Sequence, residues 1–127
     1  MNVLDRLAEE KYVLLTTFRK DGRAVATPVW FARDGDALAV WTVADSGKVK
    51  RIRRSGSVTV APCDFRGNPH GEAVAARATL TGSVAADDHI RRAIARKYGL
   101  IGRISMLGSR IRRGRNGTVG IRIAFAD

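Results

Sequence analysis

Two tight turns between short apolar segments constrain the fold of this chain more than any other feature. Asp21-Gly22 and Asp34-Gly35 supply residues that tolerate positive φ, which a two-residue hairpin turn requires. The segments around these turns, 12–18, 25–31 and 37–43, are rich in β-branched and aromatic residues, which is typical of strands. Together they predict an antiparallel meander at the start of the chain.

The rest of the chain continues this alternation of short strands and short helices. Further strands are predicted over 57–63, 72–84 and 118–125, an N-terminal helix through Leu4, Leu7 and Ala8, helices over 46–54 and 87–98, and an irregular segment over 100–116. About six short antiparallel strands with inserted helices favour a mainly β fold, closed or partly closed into a barrel.

Length and composition indicate a single domain over residues 1–127. A chain of 127 residues that is 45% hydrophobic can bury a core without metals or disulfides. Cys63 is the one cysteine, which excludes an internal disulfide and a multi-cysteine metal site, and no metal site is predicted. The chain start does not resemble a leader peptide, and no apolar run reaches the roughly 20 residues of a membrane span. We therefore expect a cytoplasmic protein without a membrane partner.

The charge balance points to an anionic partner. The sequence contains 23 Lys and Arg against 12 Asp and Glu, a net charge of +11. Such an excess is typical of proteins that bind nucleic acid, an acidic membrane surface or a polyanionic small molecule. The arginines at 103, 110, 112, 113 and 115 could contact a nucleic-acid backbone, but no helix-turn-helix, zinc-finger or RNP-type motif accompanies them. We expect no nucleic-acid partner.

The most basic stretch is the predicted helix at 46–54, which follows the strand ending in Trp41 and Thr42. Helix N-termini attract anions, so Thr42, Ser46, Lys48 and Lys50 make a plausible phosphate site. The same residues also fit a surface helix that turns Val49 and Ile52 inward and its charges to water. The spacing alone leaves both interpretations open.

Two strands carry a proline close to their ends. Pro28 lies in Ala26-Thr27-Pro28-Val29-Trp30, and Pro62 lies in Ala61-Pro62-Cys63. Proline cannot donate to a sheet, so each position is an edge, a bulge or a break that faces a ligand. Breaks on either side of the basic helix would leave a slot for a flat ring, whereas an edge strand that packs its Trp into the core explains Pro28 equally well.

No catalytic group can be named from the sequence. Cys63 has no His or Asp partner at a suggestive spacing and is interpreted as a small buried residue. His70 lies in a Gly- and Pro-containing loop and is predicted to be exposed, and His89 starts a helix among aspartates. Walker-type and Gly-x-Gly-x-x-Gly phosphate loops are absent.

The sequence resembles the PPOX-class deazaflavin-dependent oxidoreductases, small relatives of pyridoxamine 5′-phosphate oxidase. The residues that carry the resemblance are Lys11 to Gly22, Thr27 to Trp30, Val40 to Thr42, Ser46 to Arg53, Val58 to Asp64, and Arg66-Gly67. The resemblance implies an FMN-binding-protein-like split β-barrel and a homodimer with cofactor sites at its interface. It also implies coenzyme F420, a deazaflavin with a phosphate and a polyglutamate tail.

The resemblance also assigns residues to the cofactor. Thr42, Ser46, Lys48 and Lys50 match the phosphate-binding segment, with Trp41 just before it, and Arg51 and Arg54 are weaker candidates for the acidic tail. The ring is expected along Pro28, Val29 and Trp30 and along the backbone of Ala61, Pro62 and Cys63.

The activity that the resemblance implies is hydride transfer between the reduced deazaflavin C5 and an electrophilic small molecule, such as an activated alkene, imine or quinone. In such a reaction the cofactor carries the chemistry, and the protein binds, orients and excludes water. FMN is the alternative cofactor, although it has no glutamate tail to match the basic surface. A non-catalytic protein that binds or carries F420, FMN or haem is the alternative function.

Overall fold

The chain forms a mainly β structure with three helices in the part that the structure describes. A computed structural model describes residues 3–81, 84–113 and 118–125. The elements are α1 (Val3–Ala8), β1 (Tyr12–Phe18), β2 (Ala24–Val29), β3 (Ala32–Asp34), β4 (Ala37–Val43), α2 (Gly47–Arg54), β5 (Ser57–Cys63), β6 (Val74–Leu80), α3 (Val84–Arg113) and β7 (Thr118–Phe125). None of the described helices is long and apolar enough to cross a membrane.

The strands form one sheet that curls toward a barrel. Its seven strands have the order β2-β1-β5-β6-β7-β4-β3, and every pairing is antiparallel. The edge strands β2 and β3 are consecutive in sequence and joined only by Trp30 and Phe31. Three peptide steps reach about 11 Å at most, so the two edges must lie close to each other. This geometry confirms the predicted split β-barrel.

The inner face of the barrel holds the main core. Strand register places Val13, Leu15 and Val60 on this face, where they are almost fully buried. Helix α2 contributes Val49 and Ile52, the predicted inward stripe, and both are buried. The buried residues of this core cluster are Leu4, Leu7, Val13, Leu15, Val29, Phe31, Leu38, Val40, Ile52, Val58, Val60, Ala78, Ile121 and Ile123.

Helix α3 covers part of the outer face. Ile90 and Ile94, predicted as its buried stripe, pack against Ala32 and Ala39 in a second cluster. Alanines at these sheet positions let the helix approach closely, and a Cβ on Gly120 would lie 2.6 Å from the Ile90 Cδ1 atom. Residue size on β3, β4 and β7 therefore fixes where α3 lies.

Four predicted boundaries were wrong. Helix α3 begins at Val84, the last residue of the predicted strand 72–84, and not at Asp87. The predicted strand 25–31 ends at Val29, and the chain begins a seventh strand at Ala32, because Trp30 and Phe31 carry it from one sheet edge to the other. The described part of the predicted strand 72–84 is paired only over Val74–Leu80. The predicted irregular segment 100–116 is helical to Arg113, because Gly99 breaks α3 with φ 68° without ending it. Residues 82, 83 and 114–116 of these predictions lie outside the described residues.

Candidate functional site

The N-terminus of α2 presents a hydroxyl group that nothing in the described structure satisfies. Ser46 has extended backbone (φ −69°, ψ 157°) and starts the helix through its carbonyl, which accepts from Lys50 N at 3.2 Å. Its Oγ makes no capping hydrogen bond and is buried without a partner among the described residues. A buried polar group without a partner costs about 1–3 kcal/mol, which a ligand with a matching acceptor would offset.

Lys48 lies one residue into the same helix turn and is half-buried. Desolvation lowers its pKa, and the nearby positive charge of Arg51 lowers it further. The first turn of α2 contains no acidic residue, and neither Lys48 nor Lys50 forms an ion pair with a described carboxylate. An anion placed here would meet a helix N-terminus, a free hydroxyl and an uncompensated ammonium together.

The last turn of α2 borders a shallow basic pocket next to the β1–β2 turn. This basic pocket has a volume of about 390 Å³ and is lined by Arg19, Lys20, Asp21, Arg23, Lys50, Arg51 and Arg54. Its one carboxylate, on Asp21, already pairs with Arg23 at 2.8 Å. The pocket therefore presents a surplus of positive charge along α2, and its Arg51 guanidinium reaches back to Gly47 beside Ser46.

Hydrogen bonds to β1 hold the basic pocket in shape. Arg51 Nε donates to the buried Thr17 Oγ1 at 2.6 Å, and Arg54 donates to the Phe18 carbonyl. Desolvation, followed by the charge of Arg19, lowers the pKa of Arg51. Arg51 therefore fixes α2 to the sheet, while Lys50 stays exposed.

The two proline strands lie on either side of β1 and not, as predicted, on either side of α2. Pro28 pairs with Leu14, and Leu14 pairs with Ala61 on its other side, so these three residues share the outer face. Pro62 and Val29 both pair with Val13 and face inward. β2 is an edge strand, which is why it tolerates Pro28.

The outer face of β2, β1 and β5 is partly covered by the loop after β5. Gly67 has a φ of 88°, and a Cβ there would lie 3.5 Å from both Leu14 Cδ1 and Pro28 Cδ. Cys63 is 3% exposed, and desolvation, with Asp64 and Glu10 nearby, raises the pKa of its thiol. These facts fit the interpretation of Cys63 as a small packed residue.

The two predicted tryptophans pack beside α3. Trp30 stacks on Tyr98 with ring centroids 4.5 Å apart and planes 7° from parallel, and Trp41 borders the same cluster. The Tyr98 hydroxyl donates to the Lys11 carbonyl at 2.6 Å and accepts from Phe31 N at 3.1 Å. Burial raises the Tyr98 pKa to about 12, so this hydroxyl stays protonated.

The predicted site residues thus fall into three groups. Thr42, Ser46, Lys48, Lys50, Arg51 and Arg54 lie in or before α2; Pro28, Val29, Ala61, Pro62 and Cys63 lie on two strands flanking β1; and Trp30 and Trp41 lie beside α3. Thr42 shares the inner face with Val40, because their partners on β7 are two residues apart. Within the described part of a single chain, these three groups of residues do not line one common pocket.

No feature of the sequence indicates that His70 has a carboxylate partner. Its side chain is 56% exposed, as predicted, but its Nε2 donates to Glu10 Oε1. The two residues are 60 positions apart, and neither lies in a motif. Among the described residues, no group of three or more His, Cys, Asp or Glu side chains could hold a metal ion.

The family model for pyridoxamine 5′-phosphate oxidase matches residues 2–126 of this chain. No curated protein matches the sequence.

Solved structures with this fold differ in what they bind. A structure described as an F420 reductase has 17% identity and a TM-score of 0.63, with 100% of this chain and 96% of that chain covered. An FAD-binding protein from Mesorhizobium loti has 17% identity and a TM-score of 0.63, with 100% and 90% covered. The haem storage protein HutZ from Vibrio cholerae has 12% identity and a TM-score of 0.68, with 94% and 84% covered. At these identities the likeness shows the fold alone.

Proposed function

Because the chain belongs to the pyridoxamine 5′-phosphate oxidase family, we propose that it is an oxidoreductase that uses coenzyme F420 to reduce an electrophilic small molecule. The observation that carries this proposal is the buried Ser46 hydroxyl, which has no partner among the described residues, beside the desolvated Lys48 at the start of α2. The two groups together fit a phosphate ester, which offers acceptor oxygens and negative charge.

The basic pocket along α2 supports F420 over FMN. With the phosphate at Ser46, Lys48 and Lys50, the pocket still offers the charges of Arg51 and Arg54, which also hold α2 to β1, to a second anionic group. The glutamates of F420 supply such carboxylates, and FMN has none beyond its phosphate. A positive rim also steers a polyanionic cofactor toward its site.

We propose a homodimer in which the partner completes the ring site. The outer face of β2, β1 and β5 is small and apolar around Leu14, Ala26 and Pro28, and these residues are half-buried or exposed in the single chain. A second copy seated on this face would bring its own strands to the ring. Such a contact explains why the three groups of predicted residues do not meet within one chain.

In the proposed reaction the reduced deazaflavin supplies a hydride from C5 when it is bound. The chain contributes the anchors: Ser46 donates a hydrogen bond to the phosphate, and Lys48 and Lys50 neutralise it. Pro28 and Ala61 offer flat backbone against the ring. These contacts fix the orientation of the ring and exclude water from its face, which is the task of the protein in cofactor chemistry.

The test is a fluorescence titration of the full chain with F420 and FMN, with an absorbance titration of hemin beside it. A random DNA duplex at two salt concentrations serves as the nonspecific polyanion. We expect saturable binding of F420, weaker binding of FMN and only salt-sensitive binding of DNA. Tight binding of FMN without binding of F420 would overturn the cofactor assignment, and tight hemin binding with no oxidoreductase turnover would favour the carrier function.

A further inference from the structure

A second cavity lies at the opposite end of the barrel from α2. This α1 cavity has a volume of about 620 Å³ and is lined by Val3, Arg6, Leu7, Glu10, Pro62, His70, Gly71, Glu72 and Val74. Its volume is within the range of about 300–1,000 Å³ that is typical of small-molecule sites. Val13 pairs with Pro62 at one end of β1, whereas Thr17 contacts Arg51 at the other, so roughly 13 Å of strand separate the two regions.

One wall of the cavity is a face of α1, and the other is the segment that leads into β6. The three lining residues of α1, Val3, Arg6 and Leu7, follow the spacing i, i+3, i+4, which places them on one side of the helix, and Glu10 lies two residues beyond its end. On the other wall, a Cβ on Gly71 would lie 2.6 Å from the Pro62 ring, so only glycine fits there without a shift. The cavity is therefore built by a close backbone approach and not by a loosely placed loop.

Two hydrogen bonds and an ordered loop hold His70 at this wall of the cavity. Its backbone N–H donates to the Pro62 carbonyl at 3.0 Å, and its Nε2 donates to the Glu10 carboxylate. The loop that carries it is organised by Asp64, whose Oδ1 accepts from Arg66 N and Asn68 N, each at 2.9 Å. These hydrogen bonds lower the pKa of Asp64, which keeps it ionised as an acceptor.

Glu10 is in turn fixed from α3. Lys97 Nζ donates to the Glu10 carbonyl at 2.8 Å and to the Ala8 carbonyl at 3.4 Å, at the C-terminal end of α1. The same ammonium lies 3.3 Å from the centroid of the Phe31 ring. Lys97 therefore acts as a positioning residue for Glu10, and Glu10 as a positioning residue for His70.

We propose that the α1 cavity binds the electrophilic acceptor and that His70 is the catalytic acid that protonates it. This inference rests on the proposed function, and it supplies the proton donor that the sequence did not reveal. The apolar groups of Val3, Leu7, Pro62 and Val74 suit an uncharged conjugated carbonyl compound. Pro62 is also part of the strand segment assigned to the cofactor ring, so one strand connects the two sites.

The electron and proton balance of this step is complete. A hydride from the reduced deazaflavin adds to the β-carbon of an enone, and the carbon–carbon π pair moves toward the carbonyl. The resulting enolate takes the proton from the His70 Nδ1, the nitrogen that Glu10 does not engage. The acceptor is reduced by two electrons, the deazaflavin is oxidised by two, and solvent returns the proton to His70.

Glu10 stabilises the protonated imidazole, which is the form that the step requires. The other charged or titratable groups around His70 are Arg6 on α1, Glu72 next in the loop, Lys97 from α3 and Cys63 at the end of β5.

The test compares His70→Gln and Glu10→Gln with His89→Gln. His89 is a matched control because its Nε2 lies 3.3 Å from Asp34 Oδ1, another surface His–carboxylate pair, but away from the cavity. Single-turnover oxidation of bound F420H2 by 2-cyclohexenone should slow about 100-fold in His70→Gln, since general acid catalysis contributes ~10²–10⁴-fold. F420 affinity should stay within about twofold of that of the original protein.

A measurement without cofactor separates this inference from the proposed function. The imidazole proton signals of His70 are followed by NMR in the full chain as 2-cyclohexenone is added. A saturable shift confined to His70 and neighbouring cavity residues supports acceptor binding, and unchanged signals overturn it. If the chain binds no deazaflavin, the proposed function and the proton-donor role both fail. If F420 binds but His70→Gln reacts as fast as His89→Gln, only the role of His70 is overturned.

Discussion

The polar groups under α3 and the polar groups at the start of α2 differ in whether they have hydrogen-bond partners. Under α3 the buried polar atoms are paired. The Tyr98 hydroxyl makes two hydrogen bonds, and the Asp87 carboxylate accepts from Gly120 N at 2.8 Å. At α2 the Ser46 hydroxyl is buried without a partner among the described residues, and Lys48 is desolvated without a counter-ion among them.

This difference separates groups whose interactions are complete within the chain from groups that have no partner among the described residues. Tyr98 links α3 to Lys11 and Phe31, so its interactions are complete within the chain. Ser46 and Lys48 weaken the free protein, because an unpaired buried hydroxyl and a desolvated ammonium both cost free energy. Like Ser46 and Lys48, Trp30 was predicted to contact the cofactor. One face of its ring is instead stacked on Tyr98.

The largest expected effect is the loss of stability in Trp30→Ala. The substitution removes the stacked partner of Tyr98 and opens space beside α3. A fully buried Trp replaced by Ala costs ~3–5 kcal/mol, and the half-buried Trp30 should cost about 2–3 kcal/mol. Urea denaturation followed by circular dichroism measures this change.

Trp30→Phe is the matched control, because a phenyl ring can still stack on Tyr98. We expect it to recover most of the stability and to leave F420 affinity nearly unchanged. A tenfold loss of affinity in a stable Trp30→Phe protein would break the comparison and restore Trp30 to the cofactor site.

The second effect is on affinity, in Lys48→Ala. Removing a charged hydrogen-bond donor from the phosphate should weaken F420 binding by about 1.5–3 kcal/mol, or roughly 10–150-fold. Stability should not fall, because the Lys48 pKa is lowered in the folded chain and the charged form is therefore disfavoured there. Arg92→Ala, on the exposed side of α3, is the charge-matched control, and equal affinity loss in both variants would reduce the effect to general electrostatics.

The fold was predictable because local signals repeat along this chain. The glycines after Asp21 and Asp34 do adopt positive φ, 91° and 61°, as the hairpin interpretation requires. The buried stripe of α2 followed from the spacing of Val49 and Ile52. The seventh strand was missed because no local signal in Trp30-Phe31-Ala32 shows that the chain changes sheet edges there. Where the chain crosses from one edge to the other depends on how the whole sheet closes.

The candidate site was predictable only in part, for a related reason. Ser46 and Lys48 are neighbours in sequence, so a helix N-terminus places them together. The pairing of His70 with Glu10 and the stacking of Trp30 on Tyr98 join residues 60 and 68 positions apart, and no spacing rule covers them. The predicted end of the helix 87–98 was wrong, since the left-handed Gly99 kinks α3 without ending it.

The third effect is smaller and concerns Ser46→Ala. An N-cap Ser replaced by Ala ordinarily costs ~1 kcal/mol of stability, but the Ser46 side chain makes no capping hydrogen bond. We therefore expect unchanged or slightly raised stability and a loss of about 1 kcal/mol in F420 binding, roughly fivefold. Ser55→Ala, at the other end of α2, is the control. A clear loss of stability in Ser46→Ala would show that the hydroxyl is satisfied within the free protein.

The smallest effect is a pH dependence on the α3 flank, where the Lys97 ammonium is desolvated although it donates to two carbonyls. More than a third of this residue is exposed, yet its ammonium lies against the Phe31 ring. Desolvation lowers the pKa of this ammonium more than the negative charge of Glu10 raises it. The Lys97 pKa is thereby lowered to about 8 from 10.5. Between these values the unfolded chain binds more protons than the folded chain, so the contribution of Lys97 to stability rises with pH over that window.

Urea midpoints measured from pH 7 to pH 11 should show this small rise in the original protein and lose it in Lys97→Met, which retains an apolar contact with Phe31. An identical pH dependence in both proteins would mean that Lys97 keeps an ordinary pKa and that its hydrogen bonds to the end of α1 offset its desolvation in full.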